Sequence, residues 1–188
     1  MRALLQRVLE AKVVVDGQIT GEIEHGILVF LGLGKDDNLD KGKKLIDKIL
    51  KYRFFDDEQG KMGWNISQAG GGLLLVSQFT LMAQTQKGLR PDFGPAMPPQ
   101  EAKILYEQLV EYAKSQFEHV QTGIFAADMN TFYFDLFIDL YLGANDFCQL
   151  AFQRFCQFFR RDLCIFQNTY SFFIDENSRA ILSDSQKY

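Results

Sequence analysis

Residues 26–33 read Gly-Ile-Leu-Val-Phe-Leu-Gly-Leu, and residues 73–79 read Leu-Leu-Leu-Val-Ser-Gln-Phe. Both runs begin with continuous apolar residues, which is typical of a strand buried on both faces. The second run ends in polar residues, so a rigid strand delivers Ser77 and Gln78 to its end. Apolar residues at helical spacing over 36–51 separate the two runs, and we therefore predict an α/β fold.

The segments around these two strands carry turn signals. Asp16-Gly17 predicts a hairpin between residues 4–15 and 18–23, because Asp-Gly supplies the positive φ of a type I′ turn. Residues 56–60 predict a turn between two further strands, and Gly70-Gly71-Gly72 predicts a sharp turn. We also expect a strand over 120–126.

A second helix is predicted after the proline-rich loop. Pro98-Pro99 can open a helix at about residue 100, where a missing N–H is tolerated. The helix should run to about residue 117 with four apolar residues facing inward: Ile104, Leu105, Leu109 and Val110.

Composition limits the partners of this chain. Its 188 residues are 47% hydrophobic, which is ample for a core, and the formal net charge is −4. Residues 1–129 carry 15 basic and 17 acidic groups, and residues 130–188 carry 5 and 7. Neither part is a basic nucleic-acid arm, so we expect no DNA partner and only a local RNA contact, such as one terminus held in a pocket.

The sequence changes character at residue 130. The tail, residues 130–188, holds 11 of the 18 Phe and all three Cys, with no Val, no Pro and one Gly. Residues 132–142 fit a strand or a helix, and so many poorly patterned aromatics indicate an aggregation liability. We predict two parts, a domain over 1–129 and a divergent Phe-rich tail.

The compartment is predicted from what the first part lacks. Residues 1–129 contain no cysteine, and Arg2, Arg7 and Glu10 interrupt any secretory signal. The longest apolar run is far too short to span a membrane. A cytoplasmic protein is the expectation.

Metal and covalent sites have weak support. His25 and His119 are the only histidines, neither lies in an HxxH frame, and both are predicted at the surface. Gly32 to Lys35 superficially suggest a phosphate loop, but Asp36 follows where Ser or Thr should bind magnesium. We therefore expect no metal, no cofactor and no acyl-enzyme.

Ser77-Gln78-Phe79-Thr80 is the remaining candidate site. Backbone N–H groups at a strand end can form an oxyanion pocket. Thr80 adds a hydroxyl, Gln78 an amide, and Phe79 a ring that can stack on a ligand. The alternative is a strand that simply emerges into solvent.

Taken together, the chain closely resembles the D-aminoacyl-tRNA deacylase family over residues 1–129. The matching motifs are Leu5-Gln6-Arg7-Val8, Gly21-Glu22-Ile23, Leu50-Lys51-Tyr52-Arg53, Gly60-Lys61-Met62, Val76-Ser77-Gln78-Phe79-Thr80-Leu81, Gly88-Leu89-Arg90-Pro91 and Thr122-Gly123-Ile124-Phe125-Ala126-Ala127-Asp128-Met129.

The resemblance implies a homodimer of small α/β subunits with a barrel-shaped β-sheet core and flanking helices. It implies proofreading hydrolysis of the ester between a D-amino acid, or glycine, and the terminal adenosine of tRNA. The chemistry would use the RNA's own 2′-hydroxyl and backbone donors, without a cofactor. Seven residues carry over: Ser77, Gln78, Phe79 and Thr80 in the catalytic pocket, Met129 beside the adenosine, Ala102 packed nearby, and Arg7 bracing a selectivity loop.

The tail departs from the family. The family continues with a strand carrying Asn-x-Gly-Pro-x-Thr, whose cis Gly-Pro bond crosses the dimer to exclude L-amino acids. This chain has no Gly-Pro after Met129, and Gly94-Pro95 lies in the middle loop. We interpret the domain as lacking the last family strand, with an altered reading frame as the hypothesis. Two alternatives are an inactive or misfolded chain that at most binds tRNA 3′ ends, and a tail that is a new interaction module.

Overall fold

A computed structural model describes residues 1–84, 90–134 and 171–175. The strands are β1 (Arg2–Val8), β2 (Glu10–Val15), β3 (Gln18–Ile23), β4 (Gly26–Gly32), β5 (Phe55–Asp56), β6 (Met62–Trp64), β7 (Gly72–Ser77), β8 (Val120–Thr122), β9 (Asn130–Phe134) and β10 (Ser171–Asp175). The helices are α1 (Leu39–Lys51) and α2 (Pro99–Gln116), and a 3-10 helix spans Phe79–Met82. The α/β class is confirmed.

Two sheets pack face to face, and the helices cover the outer face of the larger one. Its strand order is β10-β1-β4-β7-β8, with β4, β7 and β8 parallel. The second sheet has the order β3-β2-β9 and is antiparallel, while β5 and β6 form a small ladder of their own. Every residue of β4 is buried, as its continuous apolar run predicts. Closure of the sheets into a barrel stays a prediction, because their hydrogen-bonded ladders are separate.

The Asp-Gly hairpin is confirmed, but the strand before it is broken. Asp16 and Gly17 have φ of 50° and 77°, as a type I′ turn requires. Residues 4–15 are not one strand, because β1 and β2 belong to different sheets. Leu9, 51% exposed, lies at the crossing between the two sheets.

Helix α2 forms where the two prolines predict it, but one of its predicted core residues is wrong. Ile104 is 59% exposed. The buried residues of α2 are Ala102, Leu105, Tyr106, Leu109 and Ala113. These share one face at the spacing of 3.6 residues per turn, and Ile104 falls on the opposite face.

Two further predicted elements have different bounds. The strand after α2 ends at Thr122 instead of residue 126, and Ala126 adopts a positive φ of 59°. The strand that carries Leu73 ends at Ser77, and the 3-10 helix takes over at Phe79. Both early endings let the chain turn at the same edge of the larger sheet.

The predicted boundary at residue 129 falls directly before a paired strand. Strand β9 pairs antiparallel with β2 over residues 130–134. Loss of the last family strand stays a prediction, because this pairing does not say which family strand β9 corresponds to. Of the strand or helix predicted over residues 132–142, the structure shows a strand as far as Phe134. The three cysteines lie outside the described residues.

Candidate functional site

A cavity of about 730 Å³ opens at the carboxyl ends of β4 and β7. Phe30 comes from β4, and Val76 and Ser77 come from β7. Ligands of parallel sheets bind at this edge, because the loops that follow the strands converge there. The remaining walls come from the proline-rich loop, the start of α2 and residues 125–131.

The Ser-Gln-Phe-Thr segment forms one wall of this cavity. Ser77, Gln78 and Phe79 line it, whereas Thr80 does not. The Gln78 N–H donates to the Leu31 carbonyl at 2.8 Å, which anchors the segment to the end of β4. The Gln78 side-chain Nε2 donates to Thr80 Oγ1 at 2.5 Å, so Thr80 lies behind Gln78 and holds its amide.

The 3-10 helix that starts here begins with backbone donors that have no acceptor among the described residues. The first N–H groups of a helix have no acceptor within it, and here they belong to Phe79 and Thr80. The next N–H groups are used, since Leu81 N donates to Gln78 O and Ala83 N to Thr80 O. Phe79 lines the cavity, so the start of this 3-10 helix is a candidate oxyanion pocket.

Two of the three other predicted residues lie at the cavity. Ala102 and Met129 line it, from α2 and from the residue before β9. Arg7 lies elsewhere, at a smaller cleft of about 320 Å³. Its Nη1 donates to the Phe54 carbonyl and forms an ion pair with Asp56, both at 3.2 Å. The structure thus brings five predicted residues together, with Thr80 behind them and Arg7 apart.

The cavity also has walls that sequence reasoning missed. Phe93 comes from the proline-rich loop, and Phe125 and Ala126 come from a segment predicted as a strand. The glycine at position 123 was a sequence signal for close packing in this segment, because a Cβ there would lie 2.7 Å from Met129 Sδ. The positive φ of Ala126 had no signal, since such backbone is uncommon for a residue with a side chain.

The electrostatic character of the cavity is simple. Among the described residues that line it, Asp128 is the one ionisable side chain, and the rest are mostly aromatic, aliphatic or proline. Within the described ranges, no three His, Cys, Asp or Glu side chains are grouped so that they could hold a metal ion. Both histidines are exposed, as predicted. The walls can hold an apolar group while the N–H groups polarise a carbonyl.

Tyr106 braces the cavity from beneath. Its hydroxyl donates to the Leu75 carbonyl at 2.8 Å and ties α2 to β7. The residue is 3% exposed, and burial raises the pKa of its hydroxyl well above the ordinary range. Its ring lies 5.7 Å from that of Phe125, between ring centres. The hydroxyl is a neutral structural donor at physiological pH.

Comparison with known proteins identifies the family. Residues 4–133 match the family model described as D-Tyr-tRNA(Tyr) deacylase. The chain belongs to the D-Tyr-tRNA(Tyr) deacylase family. The predicted resemblance is therefore confirmed, and the family match ends four residues beyond the predicted boundary at 129.

Two bacterial relatives of the deacylase family show how much of the chain is shared. A D-aminoacyl-tRNA deacylase of Acinetobacter baumannii (strain SDF) is 84% identical over 129 residues, which are 69% of this chain and 90% of the relative. A D-aminoacyl-tRNA deacylase of Psychrobacter sp. (strain PRwf-1) is 58% identical over 129 residues, 69% of this chain and 88% of the relative.

Two solved structures share the deacylase fold. The c-Myc DNA Unwinding Element Binding Protein is 34% identical with a TM-score of 0.68, covering 77% of this chain and 100% of its own. A probable eukaryotic D-amino acid tRNA deacylase is 13% identical with a TM-score of 0.62, covering 71% and 93%, and shows the fold alone. No helix in the part of the chain that the structure describes is long and apolar enough to cross a membrane.

Proposed function

We propose that this chain hydrolyses the ester that joins a D-amino acid, or glycine, to the 3′-terminal adenosine of tRNA. Family membership supports the reaction class, and relatives 84% and 58% identical carry the name D-aminoacyl-tRNA deacylase. The observation that carries the proposal is the cavity itself, where the start of the 3-10 helix at Phe79 meets an apolar, aromatic-lined space.

The proposed mechanism uses backbone donors and water. The adenosine lies beside Met129 and Ala102, and its ester carbonyl faces the start of the 3-10 helix, where Phe79 lines the cavity. A water oxygen attacks the carbonyl carbon while the 2′-hydroxyl of the terminal ribose relays its proton. The carbonyl–O3′ bond then breaks, and O3′ takes a proton as the free amino acid leaves. The N–H groups stabilise the oxyanion that forms between these steps.

The proposal includes the biological setting. We expect a homodimer that acts in the cytoplasm as a translation proofreader, as the resemblance implies. Sheets closed into a barrel belong to the same expectation. The competing proposal is a chain that binds tRNA 3′ ends without turnover, because the tail replaces the Gly-Pro motif.

Deacylation of D-Tyr-tRNA by the purified full-length chain tests the proposal. Ala102→Phe places a ring in the cavity wall, and Ile104→Phe is the matched control on the outer face of α2. We expect turnover by the parent chain and by Ile104→Phe, and a loss of about tenfold or more in Ala102→Phe, which is about 1.4 kcal/mol of barrier. A folded parent chain that binds D-Tyr-tRNA without releasing tyrosine would favour the competing proposal.

A further inference from the structure

Two aromatic rings lie in contact at the rim of the cavity. Phe79 is 60% exposed and Phe93 is 39% exposed. Their ring centres are 5.3 Å apart, and their planes cross at 62°. Single exposed apolar residues are common in proteins. A touching pair that also lines a large cavity presents aromatic faces both to the cavity and to solvent.

The loop that carries Phe93 is fixed by hydrogen bonds. Gln84 and Asp92 exchange two backbone bonds, at 2.8 and 3.0 Å, and Asp92 Oδ1 accepts the Gly94 N–H at 2.8 Å. The Phe93 carbonyl accepts the Ala96 N–H at 2.9 Å. The exposure of the Phe93 ring is therefore set by its scaffold.

The far end of the same loop is tied to the chain after β4. Lys35 N donates to the Pro95 carbonyl at 3.1 Å, and Met97 N donates to the Leu33 carbonyl at 2.9 Å. The rim therefore stands on the same strand end that anchors Gln78. A ligand in the cavity and a group on the rim would therefore contact segments that are both hydrogen-bonded to the end of β4.

We propose that Phe93, together with Phe79, forms a stacking platform for the base of the nucleotide that precedes the terminal adenosine. The inference rests on the proposed function. When the last nucleoside enters the cavity, the chain of the RNA must leave over the rim. Stacking on aromatic side chains contributes about 1–3 kcal/mol per base and tolerates any sequence.

Charge supports stacking over Coulomb attraction at this place. Among the described residues of the cavity lining, Asp128 is the one ionisable side chain, and it is an acid. The whole chain has a net charge of −4. The described lining thus offers a phosphate no cation, and the Phe79–Phe93 pair is a contact that does not depend on charge.

Binding of two non-hydrolysable analogues tests the platform independently of catalysis. One is D-tyrosine joined by an amide to 3′-amino-adenosine, and the other is the same group at the end of a CCA trinucleotide. Calorimetry on the full-length chain should show tighter binding of the trinucleotide. Phe93→Ala should reduce that gain by about 5–150-fold, in line with 1–3 kcal/mol. Phe93→Tyr should retain it, because the ring remains.

Ile124→Ala is the matched control, since Ile124 is 49% exposed and does not line the cavity. This variant should keep the tighter binding of the trinucleotide analogue. The platform would be overturned if Phe93→Ala weakened binding of both analogues equally. It would also be overturned if the parent chain bound the trinucleotide no more tightly than the single nucleoside. A lower oligomer mass for Phe93→Ala in sedimentation, with the gain retained, would overturn it in favour of contact with a second copy. If the chain bound the trinucleotide analogue more tightly but did not hydrolyse D-Tyr-tRNA, the proposed hydrolysis would be rejected and the platform supported.

Discussion

At the scale of single residues, the site depends on side chains that support others. Thr80 lies outside the cavity lining, and its hydroxyl holds the Gln78 amide. Tyr106 lies under the wall and ties α2 to β7 through one hydrogen bond. Phe79 contributes a ring at the rim and the first N–H group of the 3-10 helix. Some groups therefore line the cavity, and others lie behind it and hold them in position.

Thr80→Ala should slow hydrolysis because Gln78 loses the partner that orients it. One hydrogen bond contributes about 0.5–1.5 kcal/mol, so we expect a fall in kcat of about 2–10-fold. Thr80→Ser keeps the hydroxyl and should remain within about twofold of the parent. Single-turnover deacylation of D-Tyr-tRNA measures both. An unchanged rate in Thr80→Ala would contradict a positioning role.

Tyr106 makes stability fall at alkaline pH. Burial raises its folded-state pKa above the ordinary value of 10.0, so the unfolded chain loses the proton first. Its contribution is complete below about pH 10 and declines above it, by at most about 1.4 kcal/mol per pH unit. Urea unfolding between pH 8 and 11 measures this slope.

Tyr106→Phe is the variant that isolates this effect. It should cost about 1 kcal/mol at pH 8, because the Leu75 carbonyl loses its donor, and it should flatten the alkaline decline. Tyr112→Phe is the comparison variant and removes a hydroxyl that donates to Asp47. It should keep most of the alkaline decline in stability. The same alkaline slope in Tyr106→Phe and the parent would show that other groups govern it.

At the scale of elements, the parallel pair β4 and β7 positions the cavity. Gly26 starts β4 directly beside Gly72, which starts β7. A Cβ on Gly26 would overlap the Gly72 carbonyl oxygen. The glycine triplet 70–72 is therefore a turn, with a positive φ of 65° at Gly70, and also a place where two backbones touch. The sequence predicted only the turn.

Gly26→Ala should destabilise the chain by about 1–3 kcal/mol or more, because the neighbour that must move is backbone. Gly60→Asn is the control. Gly60 has a φ of 70° and open space around its Cβ position, and asparagine tolerates such backbone. We expect the control to stay within about 0.5 kcal/mol of the parent in urea unfolding. Equal stability of the two variants would show that the strands can separate to admit a methyl group.

At the scale of the whole molecule, the change in sequence at residue 130 does not coincide with an end of the sheet. Strand β9 continues the antiparallel sheet beyond Met129, and β10 lies against β1 at the edge of the larger sheet. The domain division at 129, the altered reading frame and the loss of the last family strand stay proposals. What the sequence does show is that residues 130–188 contain no Gly-Pro.

Chiral selectivity should be weak in this chain for that reason. Rejecting an L-amino acid needs a steric element, and the cavity walls alone are apolar surfaces. Apolar pockets discriminate between similar side chains by about 10–200-fold, so we expect a D-to-L preference below about 100-fold. The ratio of kcat/KM for D-Tyr-tRNA and L-Tyr-tRNA measures it, with spontaneous hydrolysis subtracted. A preference above about ten-thousandfold would mean that another segment supplies the steric element.

The sequence by itself determined the α/β class, the two buried strands, the Asp-Gly hairpin and both helices. Each depends on a local pattern, such as a continuous apolar run for β4 or two prolines before α2. The Ser77–Thr80 segment was identified for the same reason, because a hydrophobic strand ends in polar residues there.

Only the tertiary structure decided which residues share the cavity. Ile104 and Ala102 lie two positions apart on one helix, yet only Ala102 reaches the wall, because the core lies on one side of α2. Phe93 and Phe79 touch although they lie 14 positions apart in the sequence, since the proline-rich loop bonds back to the end of β4. Local pattern fixes elements because it acts between neighbours in sequence. The site is built by contacts across elements, whose geometry depends on how the sheets and helices pack.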